Sequence, residues 1–339
     1  MSAQSVFRYP DGTWPNTLAL TVTVGGWLAG MFLMTRAAWE LNVLGWCMLT
    51  LSLIWSAYFI HEFAHHAIFR APQTNERWGT LMSWINGSCY ARFQDMRRKH
   101  MRHHVERADV ITFDVRQFLL DSPAWFRRTV LALEWAYIPA VELLMHGFVM
   151  AQPFTDPSRR HQRLRVVGIG LIRSVGFGLL AWVSPKALLL YALAYLAFIT
   201  VLRFADCFQH TYDAYPLSGN EPIPQDKLRD RRYEQQNTYS NVVGLNHPIL
   251  NLLWLNFGYH NAHHERPTAP WHQLPRLHRQ LFEEQDPQVI PVPQLLKSFH
   301  ANRVRRILSD DYGRVLPPSA AGRADGFVGA VGVSFLTAV

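Results

Sequence analysis

Apolar positions fall into four long runs separated by polar, basic stretches. Thr17 to Met34 carries no charge and is about long enough to span a bilayer. A short link, Thr35 to Glu40, leads to Leu41 to Ile60, a second uncharged run of spanning length. Together they predict a transmembrane hairpin. Val166 to Val183 predicts a third span, with Arg173 as its only charge, either snorkelling to the interface or facing protein. After the tight link Ser184-Pro185-Lys186, Ala187 to Leu202 predicts a fourth, somewhat short span. The expected fold is an all-α membrane protein: four transmembrane helices in two hairpins, with interfacial helices and a helical cap.

Two further segments are apolar without crossing. Trp78 to Tyr90 suits the membrane surface but is too short to span it. Val130 to Met150 has spanning length, yet it carries Glu134, Glu142, His146 and Pro139. On a helical wheel the three polar residues fall within about a third of the circumference, an amphipathic pattern. It reads as an interfacial or re-entrant helix, because a full span here would put the later histidines across the membrane from the earlier ones. Pro-rich loops are expected around Pro216 to Pro224 and Pro287 to Pro293, and the Gly-rich, apolar end Phe327 to Val339 carries no functional signal. No internal repeat is visible. Residues 1–339 read as one membrane domain, with spans near 17–34, 41–60, 166–183 and 187–202 and a cap from 61–165 and 203–310.

Composition agrees with that division. Hydrophobic residues are 49% of the chain, yet mean hydropathy is −0.04, which suits a part-membranous, part-soluble protein. The net charge of +8 admits nucleic acid or the basic ends of membrane spans. The two short loops on one side hold only Arg36 and Lys186 as basic residues, and nearly all other Lys and Arg lie on the other side. That side is expected to be cytosolic, with both termini and every histidine cluster on it. No recognition motif accompanies the charge, so no nucleic-acid partner is expected. Cys47, Cys89 and Cys207 form no C-x-x-C pair and read as reduced or buried thiols. No small-residue cleavage site follows the first apolar run, so no cleaved signal peptide is expected.

The chemistry lies in the histidines, of which there are 16. Three clusters stand out: His61-x3-His65-His66, His100-x2-His103-His104 and His260-x2-His263-His264. His61 and His65 share a helical face. In the other two clusters, spacings of three and four put all three rings on one side of a helix. Taken alone, His61-Glu62-x-x-His65 is also a zinc-protease signature, with Glu62 as general base. That reading leaves the clusters at 100–104 and 260–264 unexplained. Eight or nine imidazoles exceed one zinc and suit two ions, while imidazole accepts iron, copper, nickel or zinc. A membrane zinc protease and a non-catalytic lipid- or metal-binding protein are the competing classes. His66 points about 100° away from His65, so it either ligates or supports a ligand. Glu62, Glu106, Asp109 and Glu265 border the clusters, as partners of imidazoles or as solvated charges. His146, His161, His247, His272, His278 and His300 are isolated and have no assigned chemistry.

From about Leu41 to Pro275 the chain resembles the integral-membrane fatty acid desaturase and hydroxylase superfamily. Its signature is H-x(3,4)-H, H-x(2,3)-H-H and a late H-x(2,3)-H-H around two membrane hairpins. Motif order, spacing and membrane position all match. The resemblance implies two iron ions held by His61, His65, His100, His103, His104, His260, His263 and His264. It adds His210, just beyond the fourth span, and Asp206 four residues earlier, where one branch of the family has Asn reaching iron through water. It implies dioxygen as co-substrate and a fatty acid, acyl thioester or lipid as substrate. It also implies electrons from a separate ferredoxin- or rubredoxin-type carrier and its reductase, in membrane lipid, with the bacterial inner membrane as the expected location.

A saturated chain has no acidic proton, so acid–base catalysis cannot activate it, and the resemblance implies desaturation as the default activity. Hydroxylation and oxidative decarboxylation to a terminal alkene share the same first hydrogen abstraction. Arg98 to His104 and Tyr9 to Leu20 resemble the bacterial membrane-bound fatty acid decarboxylases. Trp27, Trp46, Trp55 and Trp84 are candidates to line an acyl tunnel or to anchor at the interface.

Overall fold

The computed structural model describes residues 5–217, 219, 221–244, 248–282 and 288–339. His247 and Pro287 therefore lie outside the described residues. Among the described residues the structure is helical, with isolated β-bridges and no strand.

Helix α1 (Thr13–Met34) and helix α2 (Trp39–Ala64) are followed by α3 (Pro72–Asn86) and α4 (Phe93–Glu106). Next come α5 (Val115–Asp121), α6 (Ala124–Trp135) and α7 (Ala140–Thr155). Two long helices, α8 (Arg163–Val183) and α9 (Pro185–Asp206), precede a set of short ones. These are α10 (Arg231–Gln236), α11 (His260–Glu265), α12 (Leu274–Leu281), α13 (Val292–Ala301) and α14 (Arg305–Leu308). Local chemistry fixes several ends. Pro72 opens α3 and left-handed Gly87 (φ 86°) closes it, the expected proline–glycine asymmetry. The Ser184 hydroxyl caps α9 by accepting from the Ala187 N–H.

Helices α1, α2, α8 and α9 are long and apolar enough to cross a membrane. Each runs a few residues beyond its apolar run at the histidine-bearing end, because helical hydrogen bonding continues into the polar residues. In this way α2 carries His61 past the apolar stretch. Helix α1 packs along α2, and the two backbones meet closely at Gly30 and Gly45. A Cβ on Gly30 would stand 2.8 Å from the Gly45 carbonyl oxygen, so the crossing needs glycine. Helix α9 packs against α2, α1 and α8. Helix α8 turns an apolar face outward, with Leu171 63% and Trp182 84% exposed. At the far end Lys186 Nζ donates to the Arg36 carbonyl and to Asn42 Oδ1, both at 2.6 Å, which ties the two loops together.

Val130 to Met150 is two helices rather than one. Pro139 disfavours helical geometry at the residue before it and lacks an N–H. Accordingly α6 ends at Trp135, Tyr137 takes a left-handed φ of 62°, and α7 starts at Ala140. The polar residues of this stretch meet α9: Arg203 pairs with Glu134 and lies 3.1 Å from Glu142, all three buried. Arg173 faces protein, donating to the Trp84 carbonyl at 3.2 Å. The terminal segment is part of the core. Phe327, Val328, Leu336 and Ala338 are buried, and the Ala330 N–H donates to the Cys207 carbonyl beyond α9.

Candidate metal centre

Three helices and one turn converge at the cap end of the long helices. His61 lies in the last turn of α2 and His65 follows it. Helix α4 supplies His100, His103 and His104, and α11 supplies His260, His263 and His264. His210 stands in the turn after α9, held by a backbone bridge to Thr238.

These nine histidines form two groups. His61, His65, His100, His104 and His263 make the first, and His103, His210, His260 and His264 the second. Within each, the available ligand atoms lie within 4.8 Å of one another. In the first group, Nε2 atoms are separated by 3.1 Å (His61–His263), 2.7 Å (His65–His100), 3.2 Å (His100–His104) and 3.1 Å (His104–His263). In the second, His210–His260 is 2.9 Å and His260–His264 is 3.1 Å. The groups are adjacent, with the rings of His104 and His264 4.3 Å apart.

Each H-x-x-H-H triad is split between the groups. His100 and His104 serve one and His103 the other, while His260 and His264 serve the second and His263 the first. Residues three and four along a helix lie on opposite sides of the first residue, about 100° apart, so the i and i+4 rings pair and the i+3 ring turns to the neighbour.

The chemistry of the donor set fits metal cations. A neutral imidazole has one N–H, and several Nδ1 atoms already use it. His264 Nδ1 donates to Glu234 Oε1 at 2.8 Å. His103 Nδ1 donates to the Ala108 carbonyl at 2.9 Å and lies 3.2 Å from Asp109 Oδ1. His210 Nδ1 is 3.3 Å from Thr238 Oγ1. This leaves the Nε2 lone pairs of these residues aimed at common points. Burial, reinforced by neighbouring histidines, holds His65, His100, His104, His210, His260 and His263 well below the usual imidazole range. Burial likewise pushes His264 down to about 4, against the opposing pull of Glu234. Neutral imidazoles are the form that ligates.

The other predicted residues sit outside both groups. His66 is left-handed (φ 53°), ends the helix, and offers its carbonyl to Arg8 Nη1. Glu62 accepts the Trp271 N–H at 2.9 Å and stands 3.5 Å behind His61 Nδ1, so it supports His61 and the loop after α11. Asp206 is half-buried in the wall of a small cavity, beside His103, His210 and His260, and its shielded Oδ2 has no hydrogen-bond partner among the described residues. Glu106 pairs with Arg102 and Glu265 with Arg231, away from the imidazoles. Among the isolated histidines, His146 lines an apolar cavity beside Asp206, its Nδ1 donating to the Glu142 carbonyl at 2.8 Å. Trp27, Trp46, Trp55 and Trp84 line neither of these two cavities.

Three features escaped sequence reasoning. Glu234 joins His264 to Arg107, thirty residues from the histidine it holds, with no spacing to signal it. Phe335 lies over the first group, its ring 5.5 Å from His100 and 6.0 Å from His61. Lys99 belongs to a basic run expected at the membrane surface, yet it is 3% exposed, and burial pushes it down to about 7 while Asp206 and Asp109 oppose the shift.

The fatty acid desaturase family model matches residues 37–295, which covers α2, α8, α9 and all three histidine clusters. No match is found among curated proteins. The chain belongs to the fatty acid desaturase family and is an integral membrane oxidoreductase.

Proposed function

We propose that the protein is an oxygen-dependent di-iron oxidase of fatty acyl chains. The carrying observation is the pair of adjacent, all-histidine groups, five donors and four, buried at the end of four membrane-spanning helices. His61, His65, His100, His104 and His263 hold one ion, and His103, His210, His260 and His264 hold the other. Bound iron supplies the redox chemistry with dioxygen that removes hydrogen from an unactivated carbon. Neutral imidazoles hold the cations without cancelling their charge. Glu234 and the Ala108 carbonyl orient His264 and His103, and the bilayer concentrates the acyl chain. Phe335 and the terminal segment exclude water from the first group.

Desaturation is the reaction assigned first. A –CH2–CH2– unit, dioxygen, two electrons and two protons give –CH=CH– and two waters. The electrons come from a ferredoxin- or rubredoxin-type carrier with its reductase. The basic cap faces the cytosol, by the excess of Lys and Arg at that end. Oxidative decarboxylation is the second reading, favoured by one observation: a buried cation, Lys99, lines the same cavity as His103, His210 and His260. There a carboxylic acid, dioxygen, two electrons and two protons give a terminal alkene, carbon dioxide and two waters.

Metal analysis of the purified protein, followed by incubation with a reduced carrier, oxygen and labelled fatty acids, tests the proposal. Two irons per chain and an oxygen-dependent product support it. Gas chromatography–mass spectrometry then separates an internal alkene, an alcohol and a one-carbon-shorter terminal alkene. A single zinc with no acyl product would refute it and restore the protease reading of His61-Glu62-x-x-His65.

A further inference from the structure

Lys99 is a buried cation whose partners are all neutral. Its Nζ donates to Thr112 Oγ1 at 2.9 Å, to the Ser334 carbonyl at 2.7 Å and to the Thr337 carbonyl at 3.2 Å. Among the described residues no carboxylate oxygen comes within salt-bridge distance of it. A buried ammonium favours an anion, and this one has carbonyl oxygens in that place. Two of its three acceptors, the Ser334 and Thr337 carbonyls, belong to the apolar segment that packs over the site.

The surroundings select a shape of ligand. The histidine-side cavity contains Lys99, and among the described residues lining it no other Lys or Arg is present. A second small cavity is lined mainly by apolar groups, among them Phe198, Ile199 and Leu202 of membrane-spanning α9, with Glu142 and Arg203 paired in its wall. The two share Asp206 and Val333, and the terminal segment forms a wall of both. Apolar lining from a membrane helix next to a buried cation fits an amphipathic anion. Of the carboxylates lining the two cavities, Asp109 is engaged by the Tyr312 hydroxyl and His103, and Glu142 by Arg203, which leaves Asp206 as the one that the anion must lie beside.

We propose that Lys99 anchors the carboxylate of a free fatty acid, with the Ser334 and Thr337 carbonyls as its resting partners. The inference rests on the acyl-oxidase reading and goes further by choosing a free acid over a thioester or phospholipid. The carboxyl end then lies in the cavity that holds His103, His210 and His260, so the carbons nearest the carboxylate are the ones presented to the site.

Equilibrium binding of radiolabelled lauric acid and methyl laurate to the purified full-length protein in lipid nanodiscs tests this. The wild type is expected to prefer the acid. Lys99→Met is expected to lose about tenfold or more in affinity for the acid and nothing for the ester, the effect of removing a charge-assisted contact. Lys99→Arg is expected to retain the preference. Equal binding of acid and ester by the wild type would overturn the proposal, as would parallel weakening of both in Lys99→Met. If Lys99→Met does not fold, the wild-type preference and its retention in Lys99→Arg decide. Acid-selective binding without any oxygen-dependent product would count against the oxidase reading alone; oxidised products with unselective binding would count against the Lys99 anchor alone.

Discussion

His61 and His263 meet through their Nε2 atoms at 3.1 Å although 202 residues separate them in the chain. The contact brings the end of a membrane helix onto a six-residue helix of the cap. His263→Ala removes a donor from the first group and His103→Ala one from the second. Both variants are expected to bind less iron and to lose oxygen-dependent turnover of acyl substrates. Wild-type turnover in the two variants would remove the assignment of these groups as the reactive centre.

Glu234 contacts the second group only through His264. Replacing it by Gln keeps the volume but weakens the grip on Nδ1 and discards the pair with Arg107. Loss of such a supporting carboxylate typically lowers metal affinity or activity by about 10- to 100-fold. Iron titration of Glu234→Gln against wild type measures the effect, and Arg107→Met, which leaves His264 supported, is expected to do less.

Acid should destabilise the iron-free protein. The folded-state pKa of His264 is about 4, against an ordinary 6.5. The folded state therefore binds this proton less readily than the unfolded chain. Stability is full above about pH 6.5, falls as pH drops through that value, and reaches its lowest level below about pH 4. At 1.36 kcal/mol per pKa unit, His264 alone contributes roughly 3 kcal/mol to the loss. His65, His100, His104, His210, His260 and His263 are shifted in the same direction. Thermal unfolding of chelator-treated protein across that window should show a steep fall in Tm, and bound iron should move the fall to lower pH. A flat profile would contradict the burial of neutral imidazoles.

The buried ion cluster behind the site makes a separate prediction. Arg203 stands between Glu134 and Glu142, and Arg203→Met strands two buried carboxylates. Breaking a buried pair in this way costs about 3–5 kcal/mol. Denaturation of Arg203→Met should show that loss, and Glu134→Gln combined with Arg203→Met should recover part of it.

The spans and the histidines that gather at the site were legible because each leaves a local trace. An uncharged run announces a membrane helix, and His61 with His65 or His100 with His104 repeats at the spacing of one turn. Legibility ended where partners come from afar. Glu234 reaches His264 only through the cap's folding. Lys99, next to His100, looks like one more basic surface residue until α4 turns it inward. The end of the chain, bland in composition, packs Phe335 against His61 and His100. Pro139 was visible, but its effect, a break into α6 and α7, depends on how strongly one proline overrides an otherwise helical stretch.

The division of each histidine triad has a thermodynamic result. Helices α4 and α11 each feed both groups, so an ion in one restrains the same two helices that shape the other. A first ion would bear the ordering entropy for the pair, and a second would meet donors already aligned. On the proposed two-ion reading, loading is expected to be cooperative, so that titration with limiting iron should give mostly empty and doubly filled chains, with few holding a single ion.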